Sequence, residues 1–148
     1  MEAIIFCGIP GSGKSTFFKE RFFGTHVRIS LDMLRTRHRE KIIIAACLES
    51  EQRFVVDNTN TTRDERAVYI QAAKSRNFSV IGYYFSSRVE DALARNSLRS
   101  GKARVPDIAI KSMLSKLERP SFSEGFDALY YVAIMDGKFS VSEWNNEL

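Results

Sequence analysis

Runs of apolar residues and stripes of helical spacing alternate from one end of this chain to the other. Ala3-Ile4-Ile5-Phe6-Cys7 is an unbroken apolar run, the pattern of a strand buried on both faces. Residues 16–23 have a helical apolar face, and Gly24 breaks the chain after them. A short strand follows over 26–30, then a helical stretch with Ile42, Ile43, Ile44, Ala46, Cys47 and Leu48 as its apolar surface. Residues 53–57 form the clearest strand after the first. The polar turn 58–62 leads into a helix that runs to about Arg76, with Thr62 and Glu65 spaced for a capping box and Asn77 as a stop. Residues 78–85 read as a strand, 88–99 as a helix, and 100–105 as a basic loop. Pro106 suits the first turn of a further helix that ends before Pro120. A last strand covers 128–134, and the tail 136–148 reads either as a further short strand or as a docked coil. Strands alternating with helices predict an α/β fold with a mostly parallel sheet flanked by helices.

Composition narrows the class. The 148 residues suit one domain, 1–148, and no linker, repeat or low-complexity tract divides them. A hydrophobic content of 44% with 27% charged residues excludes a disordered chain. No apolar run is long enough for a bilayer, and Met1-Glu2 leads straight into the first strand without signal-peptide architecture. Cys7 and Cys47 sit among apolar neighbours, which predicts reduced buried thiols and a cytoplasmic protein without membrane partners. The net charge of +4 is compatible with a polyanionic partner and is weak support by itself.

Gly8-Ile9-Pro10-Gly11-Ser12-Gly13-Lys14-Ser15-Thr16 matches G-x-x-x-x-G-K-[ST] and lies between a predicted strand and a predicted helix. Glycines let backbone N–H groups approach phosphates, and a helix opening near Lys14 adds the positive end of its dipole. Gly8, Pro10, Gly11, Ser12, Gly13, Lys14, Ser15 and Thr16 are therefore the predicted nucleotide cradle. Lys14 reaches the β- and γ-phosphates, and the Ser15 hydroxyl is a ligand for Mg²⁺.

Parallel α/β sheets bind ligands at the C-terminal ends of their strands. Asp32 and Arg35 follow the second strand, and Asp57, Asn58 and Asn60 follow the third. Phosphoryl transfer to a hydroxyl needs a base, and Asp32 is the candidate; the competing role is a helix N-cap. Arg35, one turn on, either holds a phosphate of the acceptor or is a solvated surface residue. Asp57 is placed to meet Mg²⁺ through water, or else is a strand-end turn residue. Asn60 either bonds the acceptor or orients the turn. Arg95, Arg99, Lys102 and Arg104 form the densest cationic stretch, suited to a lid over a triphosphate or to a solvated helix face. His26 and His38 lack partners at metal-ligand spacing, so both read as structural or surface residues and no zinc site is indicated.

With these residues in hand, the chain resembles the kinase domain of the polynucleotide 5′-hydroxyl kinases, which heal nucleic-acid ends. The matching pieces are Gly8 to Thr16, Asp32-Met33-Leu34-Arg35 and Val56-Asp57-Asn58-Thr59-Asn60, in family order. They continue with residues 95–101, Val105-Pro106, Arg119-Pro120-Ser121 and Glu124-Gly125-Phe126. The resemblance implies a P-loop NTPase fold with an arginine-rich lid over about 95–119, ATP and Mg²⁺ as cofactors, and transfer of the γ-phosphate to the 5′-OH of DNA or RNA. It implies catalytic roles for Lys14, Asp32 and Arg99, with Arg95 and Arg99 on the nucleotide. Asp32, Arg35 and Asn60 fall on the acceptor side, and Ser15 and Asp57 on the metal. Leu31 departs from the basic residue many relatives carry before the base. The segment between Arg35 and Arg53 is shorter than in the phage enzyme, which predicts a more open acceptor side. The D-x-D-G-T phosphatase signature of bifunctional relatives is absent from these residues, which predicts either a stand-alone kinase or one whose phosphatase and ligase partners are separate chains. The competing function is a kinase of a small-molecule hydroxyl, such as a nucleoside, sugar or antibiotic.

Overall fold

The computed structural model describes residues 1–86 and 88–145, and of Lys102 the backbone alone. Six strands form one sheet in the order β2-β3-β1-β4-β5-β6. They are β1 (Glu2–Cys7), β2 (Val27–Ile29), β3 (Phe54–Val56), β4 (Ser79–Phe85), β5 (Ala128–Met135) and β6 (Lys138–Glu143). The first five run parallel, and β6 turns back antiparallel on β5. The helices are α1 (Lys14–Arg21), α2 (Leu31–Leu34), α3 (Arg37–Glu49), α4 (Arg63–Ser75), α5 (Val89–Ser97) and α6 (Asp107–Lys116). Short 3-10 turns span Gly101–Ala103 and Phe122–Glu124.

The central strand β1 is buried from Ala3 to Cys7, as its apolar run requires. Its side chains alternate between two cores. Ile4 and Phe6 pack with Phe17, Phe18, Val55, Phe85 and Val132 beneath α1. Ala3 and Ile5 pack with Ile44, Leu48, Tyr69 and Ile70 beneath α3 and α4. A third, small cluster of Ile9, Ala92 and Ile110 joins α5 and α6 to the glycine-rich loop. Among the described residues no helix is long and apolar enough to cross a membrane.

Local chemistry sets the element ends. Thr62 caps α4 by accepting from Glu65 N at 3.2 Å. Glu65 reaches back to Thr61 N at 3.1 Å, one residue earlier than a capping box requires. Asn77 stops α4 with a left-handed φ of 60°. The stretch after Asp32 is two helices, because Arg35 takes φ 75° and Thr36 caps a new helix by accepting from Arg39 N at 3.1 Å. Pro106 is the residue before α6 rather than its first turn, and α6 ends at Lys116. There Glu118 N donates to Thr61 O at 2.7 Å.

The tail resolves in favour of a strand. Asp136 and Gly137, at φ 51° and 74°, close a two-residue hairpin between β5 and β6. Asp-Gly is the pairing that such a turn favours, and it was present in the sequence. Trp144 then folds onto Tyr84 and Tyr131, with the Arg119 guanidinium 5.3 Å above its ring. Cys7 and Cys47 are free and buried, in agreement with the sequence. His26 packs edge-on against Phe22 and faces Glu2 at 3.5 Å. His38 is exposed on α3.

Candidate active site

The loop from Gly8 to Gly13 joins β1 to α1 at the C-terminal edge of the sheet. Gly13 precedes the helix with φ 97°, and Gly11 holds φ 82°. A Cβ on Gly11 would stand 2.7 Å from the Ala92 carbonyl oxygen, so α5 rests directly on the loop backbone. Beside the loop lies a crevice of about 250 Å³, lined among others by Lys14, Ser15, Asp32, Asp57, Asn60 and Arg99. Three strand ends and the lid segment thus meet at one place.

Lys14 is buried, and its Nζ donates to Gly8 O and Ile9 O, each at 2.9 Å. Burial pushes its ammonium down to about 8, against the opposing pull of Asp57 and Asp32. Pro10 and Gly11 line the crevice beside it. Ser12 is buried, and its Oγ accepts from Lys14 Nζ at 3.4 Å. Thr16 is exposed on the first turn of α1.

Asp32 stands at the second position of α2, whose N-cap is Ser30, so its carboxylate is not spent on capping. The carboxylate lines the crevice and acts electrostatically on Lys14. No hydrogen bond or ion pair engages it among the described residues. A four-residue helix cannot hold its own position. Asn58 does this from the turn after β3: Leu31 N donates to Asn58 Oδ1 at 2.9 Å, and Asn58 Nδ2 donates to Glu40 Oε2 at 2.9 Å. Buried Glu40 also accepts from the Tyr69 hydroxyl at 2.7 Å and from Arg37 at 3.2 Å. The base candidate is therefore aimed by a network across α2, α3 and α4.

Arg35 is exposed at the end of α2 and does not line the crevice; Arg37, two residues on, does. Asn60 lines the crevice, yet its amide Nδ2 donates to Phe6 O at 2.7 Å, which is the turn-orienting role. Arg66, fully buried, donates to the Asn60 carbonyl at 2.9 Å and forms a paired contact with Glu124 at 2.8 and 3.2 Å. Gly8 N ties the loop to the same turn by donating to Thr59 O at 2.9 Å. From the lid, Arg99 faces the crevice and donates to Ala103 O at 3.3 Å. Arg95 donates to Gly11 O at 3.0 Å, holding the loop backbone.

Ser15 Oγ lies 3.3 Å from Asp57 Oδ2, and both are hard oxygen donors of the kind Mg²⁺ takes. The pair is not alone. Arg28, from the middle of β2, donates from Nε to Asp57 Oδ2 at 2.8 Å and from Nη2 to Ser15 Oγ at 3.0 Å. Arg28, Arg37 and Glu40 are given no site role by the sequence pattern, and Asn58 is marked there only as a residue following the third strand. For Arg28 the available signal was a cation inside an otherwise apolar strand, Val27-Arg28-Ile29, one residue short of a site-facing strand end.

A phosphate cradle at a strand end, with Asp32, Asp57 and Arg99 lining the crevice beside it, defines the class: a P-loop phosphotransferase. Residues 39–120 match the AAA_33 family, described as an AAA domain. That match covers more than half of the chain, so the chain belongs to this family. The chain is 30% identical over 97% of its length to the bifunctional polynucleotide phosphatase/kinase of Schizosaccharomyces pombe, of which it spans 36%. It is 26% identical over 98% of its length to the L-seryl-tRNA(Sec) kinase of Methanococcus maripaludis, covering 64% of that protein. Among solved structures, Kti12 of Chaetomium thermophilum in complex with ADP-AlF3 shares the fold, with a TM-score of 0.63, 20% identity and 88% of each chain covered.

Proposed function

We propose that this chain is a polynucleotide 5′-hydroxyl kinase domain that transfers the γ-phosphate of ATP to a DNA or RNA end. The observation that carries the reading is the free Asp32 carboxylate lining the same crevice as Lys14. The similarity to a polynucleotide phosphatase/kinase along 97% of the chain supports the acceptor class.

In this reading Asp32 accepts the proton of the terminal hydroxyl as its oxygen forms a bond to the γ-phosphorus. The bond from that phosphorus to the β-γ bridging oxygen breaks, and ADP leaves. Lys14 and Arg99 stabilise the charge on the transferring group, with Arg95 holding the loop that cradles the nucleotide. Ser15, and Asp57 through water, would hold Mg²⁺, which supplies neutralisation of phosphate charge. Arg35, exposed outside the crevice, would reach a phosphate of an acceptor strand that extends past it. Asn60 lines the crevice while its amide orients the turn, and residues 95–119 close as the lid of one domain. Two buried free thiols support a reducing, cytoplasmic setting.

The test supplies labelled ATP and 5′-OH oligonucleotides. Label on the ends is expected, and Asp32→Asn should lower the rate by about 10²–10⁴-fold with ADP affinity nearly unchanged. A near-normal rate for Asp32→Asn removes it as the base. Absence of label on any end, with ATP still bound, overturns the polynucleotide reading. A small-molecule hydroxyl acceptor gains instead if Arg35→Ala leaves the acceptor KM unchanged.

A further inference from the structure

We propose that Arg28 is a built-in cation occupying the metal position, and that Mg²⁺ loads with nucleotide only by displacing it. The inference rests on reading the crevice as an ATP and Mg²⁺ site. It concerns how the donor side is loaded and is independent of the acceptor.

The geometry is specific. The Asp57 side chain is 2% exposed, and a carboxylate so buried needs a counter-charge. Arg28 supplies it at 2.8 Å through Nε, and the same guanidinium reaches Ser15 Oγ at 3.0 Å through Nη2. One planar fork therefore spans both oxygens that a P-loop enzyme presents to its metal. With one lone pair of Ser15 Oγ taken by Arg28 and its proton directed to Asp57 Oδ2 at 3.3 Å, the hydroxyl has little left for a cation. A divalent ion bonds oxygen at about 2.1 Å, which would place it against the guanidinium, cation on cation. The two cannot share the site.

Arg28 has the freedom to leave. Its side chain is 29% exposed, and it projects from β2, an edge strand of the sheet. In the metal-free protein it keeps Asp57 paired and Ser15 oriented, so the donor oxygens stay assembled. Displacement then sets a threshold: metal alone competes poorly, whereas metal arriving on a polyphosphate brings further ligands of its own. Sequence reading assigned Ser15 and Asp57 to a metal; the structure adds the residue that contests it.

Mn²⁺ binding to the ADP complex, followed by electron paramagnetic resonance without acceptor, tests the proposal. Arg28→Met should tighten Mn²⁺ about tenfold, because the open form no longer has to be selected from a blocked one. Arg28→Lys, which keeps the charge without the fork, should fall between. Unchanged or weaker Mn²⁺ binding by a folded Arg28→Met protein overturns the proposal. The wild-type chain gives a second readout that needs no stable variant. The Arg28 Nε–H resonance, assigned by its loss in Arg28→Lys, should shift when Mg²⁺ is added to the ADP complex and stay in place with ADP alone. An Nε–H signal indifferent to Mg²⁺ also overturns it. Neither measurement involves phosphoryl transfer, so failure here leaves the kinase reading standing, and the reverse holds.

Discussion

Nucleotide binding by this chain should take up a proton, and the source is Lys14. Burial holds its ammonium at about 8, compared with 10.5 for an ordinary lysine. That gap corresponds to about 3 kcal/mol against the charged form. Anionic phosphates in the loop reverse the balance by favouring the charged form. At pH 8 about half of the Lys14 side chains are neutral before binding, so about 0.5 proton per ADP is expected. The expected uptake falls to about 0.1 at pH 7 and rises to about 0.9 at pH 9. Titration calorimetry in buffers of different ionisation heat measures it directly. Lys14→Arg keeps the cation and cannot deprotonate, so its uptake should vanish. Stability provides a second reading of the same group. The unfolded chain binds more protons than the folded one between about pH 8 and 10.5, so this group's stability contribution rises with pH there. Burial pushes the Cys7 thiol from 9.0 up to about 11, and above pH 9 it works in the opposite direction. The clean window is therefore pH 8–9, where Lys14→Met should flatten the slope. Uptake near zero at pH 8, or equal uptake by Lys14→Arg, would refute the reasoning.

Two structural predictions accompany this. Arg66→Met strands the Glu124 carboxylate, 8% exposed, and should cost about 3–5 kcal/mol, or roughly 6–20 °C in Tm by thermal melting. Adding Glu124→Gln should recover part of that loss, and no recovery would show that the pair itself is not the cause. Gly11→Ala places a methyl 2.7 Å from a backbone oxygen at φ 82°, so a loss of about 2 kcal/mol or more is expected, together with weaker ADP binding. A Tm and an ADP affinity matching wild type would mean that α5 does not rest on the loop.

The strands and the nucleotide loop were legible because each depends on near neighbours. Ala3 to Cys7 is apolar without interruption, and the Gly8–Ser15 spacing is complete within eight residues. Sheet order was legible as a class but not strand by strand. The break at Arg35 escaped the helical pattern, since a single positive φ in an arginine leaves no compositional trace. The turn at Asp136-Gly137 does leave a trace, because Asp-Gly favours a two-residue hairpin. The site partners were readable only in part: Asn58 stands at a site-facing strand end and Arg28 is a cation in an apolar strand, while nothing in the pattern marks Glu40. Their value comes from distances to residues 13 to 29 positions away, and periodicity carries no such information.

The suspension of α2 from Asn58 has a consequence for how this site can change. The nucleotide loop is embedded: Gly8, Gly11 and Gly13 are wedged against neighbouring side chains and backbone, and Lys14 is buried. Asp32 instead rides on a four-residue turn of helix whose first N–H is held by the Asn58 side chain. Glu40, which bonds Asn58, Tyr69 and Arg37 and no residue of the cradle, is the place where a substitution would swing the carboxylate. In the reading proposed above, retargeting to a bulkier or slimmer alcohol is thus an adjustment of suspension rather than of foundations.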